Sequence, residues 1–134
     1  MTDPKNIVDQ WVARADYDLS AAAAMEASGH SLYVAFMSQQ AAEKILKAIW
    51  CKLRDDSPPY VHNLSTLVES LKIELSDGQH LLMNRLSRYY IAGRYPSFKQ
   101  KLASELSRAQ ASELLSQTED FVKWCRKSIL MLNE

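Results

Sequence analysis

Apolar residues recur along this chain at intervals of three and four, and no window shows the sustained alternation of a half-buried strand, so helices that each bury one face are expected. Ile7, Trp11, Ala15, Leu19 and Ala22 form a first stripe, entered at Asp3-Pro4, where proline suits a first helical turn, and closed by Gly29. A second stripe covers 31–54, about 36 Å at a rise of 1.5 Å per residue. It stops at Asp55-Asp56-Ser57-Pro58-Pro59, a run that cannot continue a helix. A short third helix is predicted over 64–75, with Asn63 as its N-cap. The fourth starts near Asp77, carries Leu81, Leu82, Leu86, Tyr89 and Tyr90, and ends at Gly93-Arg94-Tyr95-Pro96. The last, over 100–132, sets Leu114, Phe121, Val122, Cys125, Ile129 and Leu132 at helical spacing. Short linkers force neighbouring helices antiparallel. The expected fold is all-α: an antiparallel up-and-down four-helix bundle with an additional short helix, in a single domain over 1–134.

The second stripe is interrupted in an informative way. Within Gln39-Gln40-Ala41-Ala42-Glu43-Lys44-Ile45-Leu46-Lys47, the residues Gln40, Glu43 and Lys47 stand at i, i+3 and i+7 and share one face of an otherwise apolar helix. Tyr33, Phe36 and Trp50 help to build that face. An unpaired polar group buried there costs about 1–3 kcal/mol, and a charge costs more. The three heads therefore need partners, supplied by a neighbouring helix, a second subunit or a ligand.

Composition narrows the classes. A chain of 134 residues that is 47% hydrophobic can enclose a core, which argues against disorder. Only 3 Gly and 4 Pro occur, where average usage gives roughly sixteen together, and those few mark the helix breaks. The 16 basic and 16 acidic residues cancel, so no global field draws the protein to nucleic acid or an anionic membrane, and any such binding must be local. No apolar stretch approaches the roughly 20 residues of a membrane span, and no basic start precedes an apolar run, so a cytoplasmic location without membrane contact is expected. Cys51 and Cys125 lie far apart, each on an apolar helical face and without metal-ligand spacing. Both read as reduced core residues, with no metal and no cofactor expected.

Charge is nonetheless uneven. Between Asp77 and Glu105 there is no acid, while Arg85, Arg88, Arg94, Lys99 and Lys101 give a local charge of +5, interleaved with Tyr89, Tyr90, Tyr95 and Phe98. Guanidinium groups pair phosphates and aromatic faces stack on bases, so this composition suits a nucleotide or single-stranded RNA. The competing reading is internal neutralisation by Asp9, Asp16, Asp18, Glu26 and Glu43 of the first two helices.

Four elements in order carry a resemblance: Trp11, Ala13 and Asp18-Leu19; then Gln39-Gln40-Ala41-Ala42-Glu43-Lys44 with Lys47-Ala48; then His62-Asn63-Leu64; then Tyr90 with Arg94-Tyr95-Pro96. Together they resemble the HEPN domain over nearly the whole chain. The resemblance implies a small helical bundle, usually a homodimer, often encoded beside a minimal nucleotidyltransferase. Some members are RNA-cleaving toxins of toxin-antitoxin systems; others bind nucleotides or serve as inactive partners.

The ribonuclease members carry an Arg, then four to six intervening residues, then a His. Here the histidines are His30, His62 and His80, and none follows an Arg at that spacing; Arg54 precedes His62 by eight positions, across the Pro-Pro loop. Without an imidazole to move protons and a guanidinium beside it, the main warrant for catalysis is gone, and no catalytic residue is assigned. Ligand contacts are expected instead from Gln40, Glu43, Lys47, His62, Tyr90, Arg94 and Tyr95. Several have structural alternatives. Arg94 suits a helix C-terminus or a pairing with Glu43, for which Lys47 competes; Tyr95 is held extended before Pro96; His62 suits a turn beside the Asn63 cap. Trp11, Trp50 and Trp124 offer more large apolar surface than so small a bundle encloses, which favours a two-fold homodimer. The function expected is a non-catalytic HEPN-type binding module that dimerises and partners a nucleotidyltransferase, with a nucleotide or RNA as candidate ligand. The alternatives are a HEPN ribonuclease toxin built around Arg94, His62 and Tyr90, and an interaction domain without a ligand.

Overall fold

The structure, a computed structural model, describes residues 4–54, 56–92 and 96–132. Helix α1 (Pro4–Ala27) buries Val8, Val12, Ala15 and Ala22, while Trp11 and Leu19 pack at the edge of the core. Gly29, at φ +80°, ends it: the Gly29 amide donates to Glu26 O at 3.1 Å and the His30 amide to Met25 O at 2.9 Å, which satisfies carbonyls that a helix end leaves open. The chain reverses at once into α2 (Ser31–Arg54). This helix is central, buried nearly throughout from Val34 to Cys51, with Ala35, Ala41, Ala42 and Ala48 letting its neighbours approach.

Helix α3 (Leu64–Leu71) starts as expected, Asn63 Oδ1 accepting from the Thr66 amide at 3.1 Å, but ends four residues before the predicted 75. Lys72 stops it by adopting the left-handed conformation at φ 57°, its amide donating to Val68 O and Glu69 O. A side chain there is held against its preference by about 1–2 kcal/mol. Lys72→Gly is therefore expected to stabilise the fold by about 1 kcal/mol; an unchanged or lower urea midpoint would contradict this account of the stop.

Helix α4 (Asp77–Ala92) begins with a reciprocal cap, the Gln79 amide donating to Ser76 Oγ at 3.1 Å and the Ser76 amide to Gln79 Oε1 at 2.9 Å. It buries Leu82, Met83, Leu86 and Tyr89, whereas Leu81, assigned above to the same stripe, is 59% exposed.

The predicted last helix over 100–132 is two. Helix α5 (Pro96–Glu105) starts earlier, at the proline, and α6 (Arg108–Trp124) restarts at a second reciprocal cap between Ser107 and Gln110. The chain then widens into a π-helical turn (Cys125–Ile129), where the Lys52 ammonium donates to the carbonyl of Leu130. Helices α1, α2, α4 and α6 make the bundle, with α3 and α5 as short additions, and no strand occurs among the described residues. Cys51 and Cys125 are buried free thiols, both pushed up by desolvation. Trp11, Trp50 and Trp124 are all partly buried against the core. Among the described residues, no helix is long and apolar enough to cross a membrane and no group of side chains could hold a metal ion.

Candidate functional site

Glu43 is the centre of the polar face. It is 3% exposed, and its carboxylate accepts from three side chains: Lys47 Nζ at 3.2 Å, Gln39 Nε2 at 3.4 Å, and His62 Nδ1 at 3.1 and 3.2 Å to its two oxygens. Lys47 lies one turn along the same helix, itself buried, and its ammonium stands 5.7 Å from the centroid of Trp11 on α1. Such a burial is tolerable because carboxylate and ammonium neutralise each other and the remaining lone pairs are filled.

The residue that links this centre outward is Gln39 rather than Gln40. Gln39 is fully buried, and its amide nitrogen also donates to His62 O at 3.3 Å, so one side chain holds both the carboxylate and the backbone of the 61–63 loop. Gln40 is half-buried and donates to Gln39 Oε1 at 2.7 Å; its own oxygen accepts from Lys44 Nζ at 3.3 Å, and Lys44 pairs with Asp18 of α1 at 2.7 Å. Spacing on the apolar stripe placed Gln40 beside Glu43 at i+3. The geometry instead brings Gln39 to it at i+4, the separation at which helical side chains most readily meet.

Asn63 caps α3 and thereby sets the preceding residue at the edge of the bundle, where the imidazole of His62 stacks on the Tyr90 ring of α4 at 4.5 Å between centroids and 18° between planes. The His62 side chain is 37% exposed. Because its Nδ1 faces a carboxylate, that nitrogen carries a hydrogen and donates it, and Nε2 is the ring nitrogen that Glu43 does not engage.

Five of the seven expected contacts are therefore joined: Gln40, Glu43, Lys47, His62 and Tyr90. Arg94 and Tyr95 lie outside the described residues, and with them the expected approach of Arg94 to Glu43. Lys47, its competitor, is in place. Gln39, Lys44 and Asp18 complete the cluster. Their signal in the sequence was membership of the quoted family pattern rather than any spacing of their own.

Among the described residues, the basic segment makes no ion pair with the acids of α1 and α2. Asp16 pairs with Arg126 at 2.8 Å, Asp18 with Lys44, and Glu43 with Lys47. Arg85 instead finds Glu113 and Gln117 of α6 at 3.5 and 3.3 Å, and Lys99 donates to the Tyr33 hydroxyl. Arg88 and Lys101 have no partner among the described residues.

A compact helical bundle with one buried, fully partnered carboxylate and a stacked histidine at its edge defines the class. The family model of the HEPN domain matches residues 8–128. The chain belongs to the HEPN domain family. Among solved structures it is similar to TT1696 from Thermus thermophilus, at a TM-score of 0.77 and 23% identity, covering 91% of this chain and 98% of that one, a likeness that shows the fold. Comparison with curated proteins found no match.

Proposed function

We propose that this HEPN domain, a single domain over 1–134, is a non-catalytic cytoplasmic binding module that forms a homodimer, partners a minimal nucleotidyltransferase and presents a nucleotide or RNA end to it. The observation that carries the ligand side of this reading is the use of the acids of α1 and α2. Asp16, Asp18 and Glu43 are taken by Arg126, Lys44 and Lys47, and among the described residues no acid of α1 or α2 pairs with Arg88 or Lys101 of the basic segment. Dimerisation and the nucleotidyltransferase come from the family. The exposed rings of Tyr17 and Tyr60 are compatible with partner contacts.

The test is fluorescence anisotropy on a labelled short single-stranded RNA across a salt series, with light scattering on the same sample at tens of micromolar. Weak binding that falls steeply with salt is expected, because phosphate neutralisation releases counterions, together with the mass of a dimer and no cleavage. Co-elution with a nucleotidyltransferase encoded beside its gene tests the partner. A monomer that binds no RNA would leave only the ligand-free interaction domain.

A ribonuclease reading has one observation in its favour. The Glu43 carboxylate fixes His62 with Nε2 available, the arrangement in which an imidazole acts as a general base. Metal-independent RNA cleavage that is lost in His62→Ala would replace the binding module by the toxin.

A further inference from the structure

A second, smaller site lies on another face of α4. Arg85, Arg88 and Tyr89 stand at i, i+3 and i+4, so their side chains share one side of the helix, and Glu105 at the end of α5 and Gln110 in the first turn of α6 close around them. The recess has a volume of about 150 Å³. A cavity of that size accommodates a ring of six heavy atoms, so it has room for the five of a tetrahedral oxyanion and not for a nucleoside.

Its walls are rich in donors without acceptors. Arg88 has no partner among the described residues. Arg85 spends one guanidinium nitrogen on Glu113 and Gln117 and keeps the others. Gln110 uses its oxygen in the α6 cap, and its amide nitrogen remains open. Tyr89 is 9% exposed, and its hydroxyl likewise has no partner among the described residues, which leaves its hydrogen for a ligand of the recess. Against these donors stands one carboxylate, Glu105, which forms no ion pair with either arginine.

We infer that the recess formed by Arg85, Arg88, Tyr89, Glu105 and Gln110 is a binding site for a phosphate group, read in its protonated form. The guanidinium, phenol and amide donors hold three oxygens of the anion. Glu105 can only accept at neutral pH; it repels a fully ionised anion and takes a hydrogen bond from one that carries an O–H. Phosphate and phosphate monoesters, with a second pKa of roughly 6 for an ester, retain that proton in part near neutral pH, and sulfate does not. The carboxylate is thus the selecting element and the arginines the attracting ones. The recess shares Arg88 with the basic surface proposed above for RNA, and its choice of a protonated phosphate rests on Glu105 rather than on that reading.

Calorimetric titration with inorganic phosphate and with sulfate at pH 6.5 and equal ionic strength tests it directly. Phosphate is expected to bind at least tenfold more tightly than sulfate. Arg88→Ala, at an exposed position, should weaken phosphate tenfold or more, and Glu105→Gln should bring sulfate level with phosphate. Equal affinity of the unaltered protein for the two anions, or no loss in Arg88→Ala, would overturn the assignment. The source of the group follows from a second arm with a short RNA. A tenfold gain on adding a 5′-phosphate assigns the recess to RNA ends, whereas inorganic phosphate bound without that gain assigns it to small phosphate ligands. Failure in both arms removes the site and leaves RNA binding elsewhere on the protein to be judged by its own salt series.

Discussion

Glu43→Ala is expected to cost about 3–5 kcal/mol, the penalty for removing one partner of a buried ion pair, and to lower Tm by about 10–20 °C in a chain of this size. Alanine removes the acceptor for three donors at once and leaves the Lys47 ammonium, whose side chain is 8% exposed, with the face of Trp11 as its remaining neighbour. The double variant Glu43→Ala/Lys47→Met should recover a large part of the loss, because it withdraws the stranded charge. Chemical denaturation of the single and double variants is the measurement. A loss below about 1 kcal/mol, the range of exposed pairs, would mean that Lys47 reaches water and that the cluster does not hold the bundle together.

On α4, two leucines that look equivalent in the sequence should part widely. Leu86 is fully buried and Leu81 is 59% exposed. Leu86→Ala is expected to destabilise by about 2–5 kcal/mol through lost burial and the cavity left behind. Leu81→Ala should stay within about 0.5 kcal/mol, as surface substitutions usually do. Comparable urea midpoints for the two variants would show that the face α4 turns to the core has been misassigned.

That contrast shows what the sequence could and could not convey. The bounds of α2 were legible because both its ends carry strong signals: Gly29 before it, and the acidic and Pro-Pro run after it. The end of α3 was not, since it depends on Lys72 taking a left-handed conformation that glycine usually marks. The break between α5 and α6 was written in the Ser107-x-x-Gln110 capping box, but continuous apolar spacing across it concealed the restart. The polar face was legible as a set of residues that must have partners. Which glutamine reaches Glu43 was not, because i+3 and i+4 neighbours differ by side-chain direction rather than by pattern. The destination of the charges also lay beyond the sequence. Complementary totals on α1, α2 and the basic segment suggested mutual neutralisation, and only the fold shows Asp16 given to Arg126 and Asp18 to Lys44.

The hydrogen bonds of the cluster also have a direction. Lys44 donates to Gln40, Gln40 to Gln39, and Gln39 to Glu43, so the two amides stand head to tail between a cation on the α1 side and an anion in the core. Turning either amide over would set oxygen against oxygen or NH2 against NH2. The two glutamines are consequently oriented together, and each bond in the series polarises the next. Charge at the rim near Asp18 and Lys44 and charge at Glu43 are coupled through a single ordered row of dipoles, and reversing the row requires both ends to change sign.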